Sequence, residues 1–154
     1  YYTNMPEGAA FSSLDETKPR IFIVMLEFGG WCYNLASCDR HCKKSQGKHC
    51  GSHRYRSVSV QYNGLFDQLR EGYGKIDLSR ANKVYVPNCS GDGFLGVNKG
   101  SSTGYDHNGQ YIVEAVIKEL FNHGMGDGTK EDILLFGGMS AGSRGAMAHL
   151  DYIK

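Results

Sequence analysis

The amino-acid sequence predicts an α/β fold in which a mostly parallel sheet is flanked by helices, and three observations carry that expectation. Three short apolar runs lack the two-residue alternation of a half-exposed strand, as expected where helices cover both faces of a sheet. An amphipathic helical pattern lies between the second run and the third. The third run passes directly through glycines into another helical pattern, giving the order strand, long loop, strand, helix, strand, helix.

The first run, Ile21-Phe22-Ile23-Val24-Met25-Leu26, is rich in β-branched residues and opens after Lys18-Pro19-Arg20, as a buried parallel strand does. A Cys-rich loop over about residues 32–50 follows, of a length that implies a function or a covalent tie. A short helix is expected over residues 64–71, where Leu65, Phe66 and Leu69 share a face. Lys83-Val84-Tyr85-Val86 reads as the second strand and is stopped by Pro87.

Over residues 110–122, Ile112, Val113, Val116, Ile117 and Leu120 recur at helical spacing, while Glu114, Lys118 and Glu119 face outward. Asn108 is positioned to cap the start of this helix and Gly124 its end. Asp132-Ile133-Leu134-Leu135-Phe136 is the third strand, followed at once by Gly137-Gly138. Ala146, Met147, Leu150 and Ile153 then place one further helix over residues 141–153.

At 154 residues the chain is read as one domain over residues 1–154, with a core that buries roughly 70% of the unfolded surface. Seventeen basic against sixteen acidic side chains give a formal charge of +1, which excludes recruitment of nucleic acid by a net field. No apolar run approaches the ~20 residues that a membrane helix requires, so no membrane span is expected. The start at Tyr1-Tyr2-Thr3 has neither an initiator Met nor a targeting pattern, and the chain is expected to be a segment of a longer protein.

Cys32, Cys38, Cys42 and Cys50 fall within nineteen positions, and Cys89 stands apart. Either a disulfide-stapled loop in an oxidising compartment or a zinc site completed by His41, His49 and His53 would explain the clustering. The spacings favour the staple, because zinc knuckles place paired ligands two to four residues apart, whereas five residues separate Cys32 from Cys38. The expectation is therefore no metal, no cofactor, and a secreted, luminal or cell-surface location. A zinc-binding module ranks behind the other readings.

Gly138-Met139-Ser140-Ala141-Gly142 has the form of a nucleophile elbow at residues 138–142, with a strand before it and a helix after. Glycines two before and two after the serine leave room for strand and helix to pass closely, and the sharp turn holds the hydroxyl clear of the sheet. The N–H of Ala141, at the helix start, can then stabilise an oxyanion. A glycine pair in Leu26-Glu27-Phe28-Gly29-Gly30-Trp31-Cys32 follows the first strand, where α/β-hydrolases build the rest of that oxyanion hole. The fold class is thus α/β-hydrolase-like, and incomplete at its C-terminal side.

Three blocks resemble the pectin acetylesterase and Notum-like carboxylesterase family. They are residues 26–34 with Ser37-Cys38, Val86-Pro87-Asn88-Cys89-Ser90-Gly91-Asp92 with Gly96, and Gly138-Met139-Ser140-Ala141-Gly142 through Asp151. The resemblance implies carboxylic ester hydrolysis by a Ser-His-Asp triad, on an ester substrate that is an acetylated polysaccharide or an acylated protein. By the same carry-over Ser140 is the nucleophile and Gly30, Trp31 and Ala141 give the oxyanion hole. Trp31 and Tyr33 fall near the acyl pocket, and Cys32 pairs with Cys38. Cys42 with Cys50 is the further pairing expected, and a disulfide of Cys89 would need a partner outside this segment. Three residues depart from the family pattern: Phe28 and Ser143 stand for glycines, and Asn88 for a frequent tyrosine.

In the family the acid and histidine lie well downstream of the serine, and the chain ends fourteen residues after Ser140. No residue here inherits either role, and the segment alone is expected to be inactive. His149 lies roughly 13 Å along the following helix and is read as a helix-surface residue. His107 and His123 flank the helix expected over residues 110–122, while Asp92 and Asp106 are read as loop or turn residues. The alternative is a non-catalytic structural or binding subunit with a hydrolase-derived fold, whose partners are other chains of a larger assembly.

Overall fold

The continuous apolar run 21–26 becomes the central strand of the sheet. The computed structural model describes residues 2–3 (backbone only), 19–47, 49–50, 78, 81–98, 100 and 104–153. Its elements are β1 (Tyr2–Thr3), β2 (Arg20–Leu26), α1 (Leu35–Lys44), β3 (Asn82–Val86), α2 (Gly109–Asn122), β4 (Asp132–Gly138), α3 (Ala141–Ala148) and α4 (Leu150–Ile153). The sheet order is β1-β3-β2-β4. β2 runs parallel to both β3 and β4, pairing Val24 with Val84 on one side and with Phe136 on the other. The two-residue β1 pairs antiparallel with β3. The helix expected over residues 64–71 and His53 of the zinc reading lie outside the described residues.

Burial on both faces explains why β2 does not alternate. Phe22, Val24 and Leu26 join Val84, Val86, Phe94 and the α2 residues Val113, Val116, Ile117 and Leu120 in the larger core. Ile23 and Met25 point the other way and pack with Leu78 and Tyr85. Each fully buried side chain of this kind contributes about 1.5–3 kcal/mol. β4 is less covered than its apolar sequence suggests, with Leu135 37% exposed, because among the described residues it pairs with β2 alone.

Helix α2 ends in a Schellman motif: Gly124, at φ +96°, donates its N–H to Phe121 O and Met125 donates to Leu120 O. Its start departs from expectation. Asn108 is the N-cap residue, yet its side chain makes no cap hydrogen bond, and Asp92 Oδ2 instead accepts the Gly109 N–H at 2.8 Å. The single helix expected over 141–153 is divided at His149 into α3 and α4. No helix of the described residues is long and apolar enough to cross a membrane.

Residues 32–50 are not all loop, because ten of them form α1. A capping box starts it: Asn34 Oδ1 accepts the Ser37 N–H at 2.8 Å, and Ser37 Oγ accepts the Asn34 N–H at 2.9 Å. Disulfides join Cys32 to Cys38 and Cys42 to Cys50, with Cα separations of 4.9 and 5.6 Å. Four sulfurs held in disulfides are not thiolate ligands, which removes the cysteine half of the zinc reading. Cys89 stands outside both disulfides and is half-buried.

Candidate active site

The elbow is set where β4 and α3 meet the C-terminal end of β2. Ser140 takes φ +53° and ψ −113°, a conformation that costs a non-glycine residue on the order of 1–3 kcal/mol. Close approach dictates the glycines around it. A Cβ on Gly138 would overlap the carbonyl group of Gly142, and one on Gly142 would overlap the carbonyl group of Leu26. Met139 donates its N–H to Leu26 O at 3.2 Å, which ties the turn to β2. Below the turn, Ser143 donates from both N–H and Oγ to Ser140 O. The Ser140 hydroxyl is exposed and makes no hydrogen bond with any described residue.

β2 leads straight into the loop expected to supply the other oxyanion donors. Glu27 donates its N–H to Val86 O and accepts the Asn88 N–H at 2.7 Å, so the ends of β2 and β3 are cross-braced. The fully buried Asn88 donates Nδ2–H to Gly30 O at 3.2 Å. Cys32 donates to Gly91 O at 2.8 Å. The N–H groups of Gly30, Trp31 and Ala141 make no hydrogen bond among the described residues. Trp31 and Ala141 converge on Gly93, whose Cβ position would lie 3.9 Å from both Trp31 Cβ and Ala141 O. Tyr33 stands out into solvent at 77% exposure, and Trp31 is half-exposed with the Arg144 guanidinium 4.4 Å above its ring centroid.

The disulfide-bonded segment backs this loop. The His49 ring lies 2.6–3.0 Å from where a Cβ of Gly29 would stand, and Gly29 has φ +142°. His41 stacks on His49 with ring centroids 5.6 Å apart and reaches within 3.7 Å of the Gly30 Cβ position. Its buried Nε2 finds no hydrogen-bond partner among the described residues, and burial, with Lys44 nearby, pushes its pKa below the usual imidazole value.

The spacing reading gave too little to Asp92. Its carboxylate accepts the N–H groups of Phe94, Gly96 and Gly109 at 2.8–2.9 Å, and also the Ser90 hydroxyl. It is a turn residue, as expected, but also the knot between β3, the start of α2 and Trp31, with which it forms a β-bridge. The legible signal was an aspartate between two glycines, with Ser90 before it and Gly96 after.

No described histidine hydrogen-bonds to Ser140. His149 is not the surface residue expected: it is 7% exposed, and its Nε2 bonds to Phe94 O at 2.7 Å. The carbonyl of Phe94, a fully buried residue at φ +68°, turns inward and needs that donor. His107 Nδ1 lies 3.3 Å from Ser90 O, and His123 pairs with Glu119 at the surface. The Sγ atoms of Cys32 and Cys38 lie within 4.8 Å of a His107 nitrogen, but both sulfurs are in a disulfide.

A family model described as pectinacetylesterase matches residues 14–154. Pectin acetylesterase 5 of Arabidopsis thaliana is 32% identical over 136 residues, which cover 86% of this chain and 30% of the relative. Palmitoleoyl-protein carboxylesterase notum1a of Danio rerio is 28% identical over 152 residues, covering 92% of this chain and 27% of the relative. The human palmitoleoyl-protein carboxylesterase NOTUM is 27% identical over 144 residues, covering 87% and 26%. The chain therefore spans less than a third of the length of these relatives.

Proposed function

The chain belongs to the pectinacetylesterase family, and from that premise we propose that it carries the nucleophile and the oxyanion donors of a serine carboxylesterase. The observation that carries the reading is Ser140, held at positive φ with an unengaged hydroxyl where α3 crosses the end of β2. Its Oγ attacks the ester carbonyl, and the developing oxyanion takes the N–H groups of Gly30, Trp31 and Ala141. Collapse expels the alcohol and leaves an acyl-serine, which water then hydrolyses.

The base that activates Ser140 and the acid that orients that base come from elsewhere in the whole protein, since no described histidine hydrogen-bonds to Ser140. The substrate is an ester on a polysaccharide or on a protein, the two classes that the relatives' names carry. Two disulfides support an oxidising, extracellular or luminal location. The four strands form one sheet, which supports a single domain over residues 1–154.

Labelling of the intact, folded protein with a fluorophosphonate tests the reading. A covalent adduct on Ser140, absent in Ser140→Ala, is expected. A folded protein that takes no label would sink the esterase reading and favour a non-catalytic subunit that keeps the hydrolase scaffold.

A further inference from the structure

The Gly30 carbonyl is held by a buried side chain that the ester chemistry itself does not use. We propose that Asn88 is a positioning residue: by binding that carbonyl it aims the Trp31 N–H, on the same peptide unit, at the developing oxyanion. The proposal deepens the esterase reading of Ser140 and rests on it.

A trans peptide is planar, so its C=O and its N–H point in opposite directions and turn together. Gly30 O and Trp31 N belong to one such unit. Asn88 donates Nδ2–H to Gly30 O at 3.2 Å, while the Trp31 N–H makes no hydrogen bond among the described residues. Holding the carbonyl therefore sets the direction of the N–H on the opposite edge.

The loop itself does not choose that direction. Gly29 and Gly30 stand at φ +142° and +72°, and glycine leaves the adjoining peptide units free to turn. The next unit is already fixed, because Cys32 donates its N–H to Gly91 O at 2.8 Å. Ala141 needs no such help, since it is the first residue of α3 and the helix orients its N–H. The aim of the Trp31 donor is the one that a side chain sets.

Asn88 is itself firmly placed. It follows Pro87 just beyond β3, is 0% exposed, and gives its N–H to Glu27 Oε2 at 2.7 Å. Burial keeps solvent from replacing its bond to the loop. An amide is the chemistry required there, because Nδ2 donates, whereas an oxygen in its place would face the carbonyl oxygen.

The test follows p-nitrophenyl acetate hydrolysis by the intact protein, with active sites counted by end-point fluorophosphonate labelling. Asn88→Leu keeps the size and removes the donor. Its kcat is expected to fall about 10²-fold, the order of a lost oxyanion donor, with KM within about twofold of wild type. Affinity for a trifluoromethyl ketone, which forms an oxyanion on Ser140, should fall in parallel with kcat/KM. An unchanged kcat per active site, or a loss confined to KM, would overturn the role.

Asn88→Asp carries the test if Asn88→Leu does not fold. Protonated, the introduced carboxyl can donate to Gly30 O; ionised, it sets oxygen against oxygen. Burial and the neighbouring Glu27 carboxylate raise its pKa, so the ratio of its kcat to that of wild type should fall as pH rises from about 5 to about 9. A constant ratio overturns the role, because a structural defect alone does not follow the charge of this one group.

Crystal structures separate this role from the esterase reading. In Asn88→Leu the Gly30-Trp31 peptide is expected to be turned or split between two orientations. A peptide that keeps its orientation overturns the positioning role even if ester hydrolysis persists. A turned peptide, in a protein whose wild type hydrolyses no ester and takes no label, would remove the esterase reading and leave the hold of Asn88 on the loop standing.

Discussion

The α-carbon of Gly142 faces the carbonyl oxygen of Leu26 with no room for a side chain between them. Strand β2 and helix α3 thereby touch backbone to backbone, with Ser140 just above the contact. Gly142→Ala must push α3 off the strand, and backbone on the other side has little freedom to yield. We expect a loss of about 2–3 kcal/mol in stability, seen as a lower denaturant midpoint, and loss of fluorophosphonate labelling.

The His49 ring fills the space where Gly29 would carry a Cβ, and Gly29 sits at φ +142°. Gly29→Ala therefore suffers twice, from backbone strain and from collision with the ring. Displacing the Gly30 and Trp31 donors should lower kcat by roughly 10²-fold. Adding His49→Ala relieves the collision but not the strain, so part of the rate should return. Equal rates in the single and double variants would show that the ring does not set the loop.

Acid should weaken the fold through His41. Its folded pKa lies below its unfolded value of 6.5 because burial, then Lys44, disfavours the imidazolium. The unfolded chain thus binds the proton more readily, so the contribution is complete above pH 6.5 and is lost as pH falls through that value. Melting temperatures should hold from pH 8 to about pH 6.5 and decline from there to pH 5, and His41→Phe should flatten the decline.

Arg20 joins the start of β2 to Asp127 and Asp132, with side-chain exposures of 10% for Arg20 and 14% for Asp132. Arg20→Leu strands the half-buried Asp132 carboxylate and should cost about 2 kcal/mol. Arg20 also holds the Asp127 carboxyl well below its ordinary value of 3.8. That contribution is present above 3.8 and lost as pH falls below it, so R20L should unfold with a shallower acid limb below pH 4. Denaturant titrations at pH 7 and pH 3 check both statements.

Elements that bury a continuous stripe were legible in the sequence. Phe22, Val24 and Leu26 in β2, and Val113, Val116, Ile117 and Leu120 in α2, follow the period that their packing requires. Helix α1 was not, because Cys38 is its one buried residue and its stability comes from a cap and two covalent links. The pair Asn34 and Ser37, three apart, was its local sign. The two residues of β1 carry no pattern at all. Within the site, Ser140 and its glycines could be read because the motif is local. The roles of Asp92, His49 and His149 depend on carbonyls and glycines far away in sequence, so spacing does not reveal them.

Asp92 also makes one side chain answer for two parts of the site. Its carboxylate closes the turn over residues 90–96 and caps α2 through the Gly109 N–H. The backbone of the same residue bridges to Trp31. A change at position 92 therefore reaches the start of α2 and the loop after β2 together.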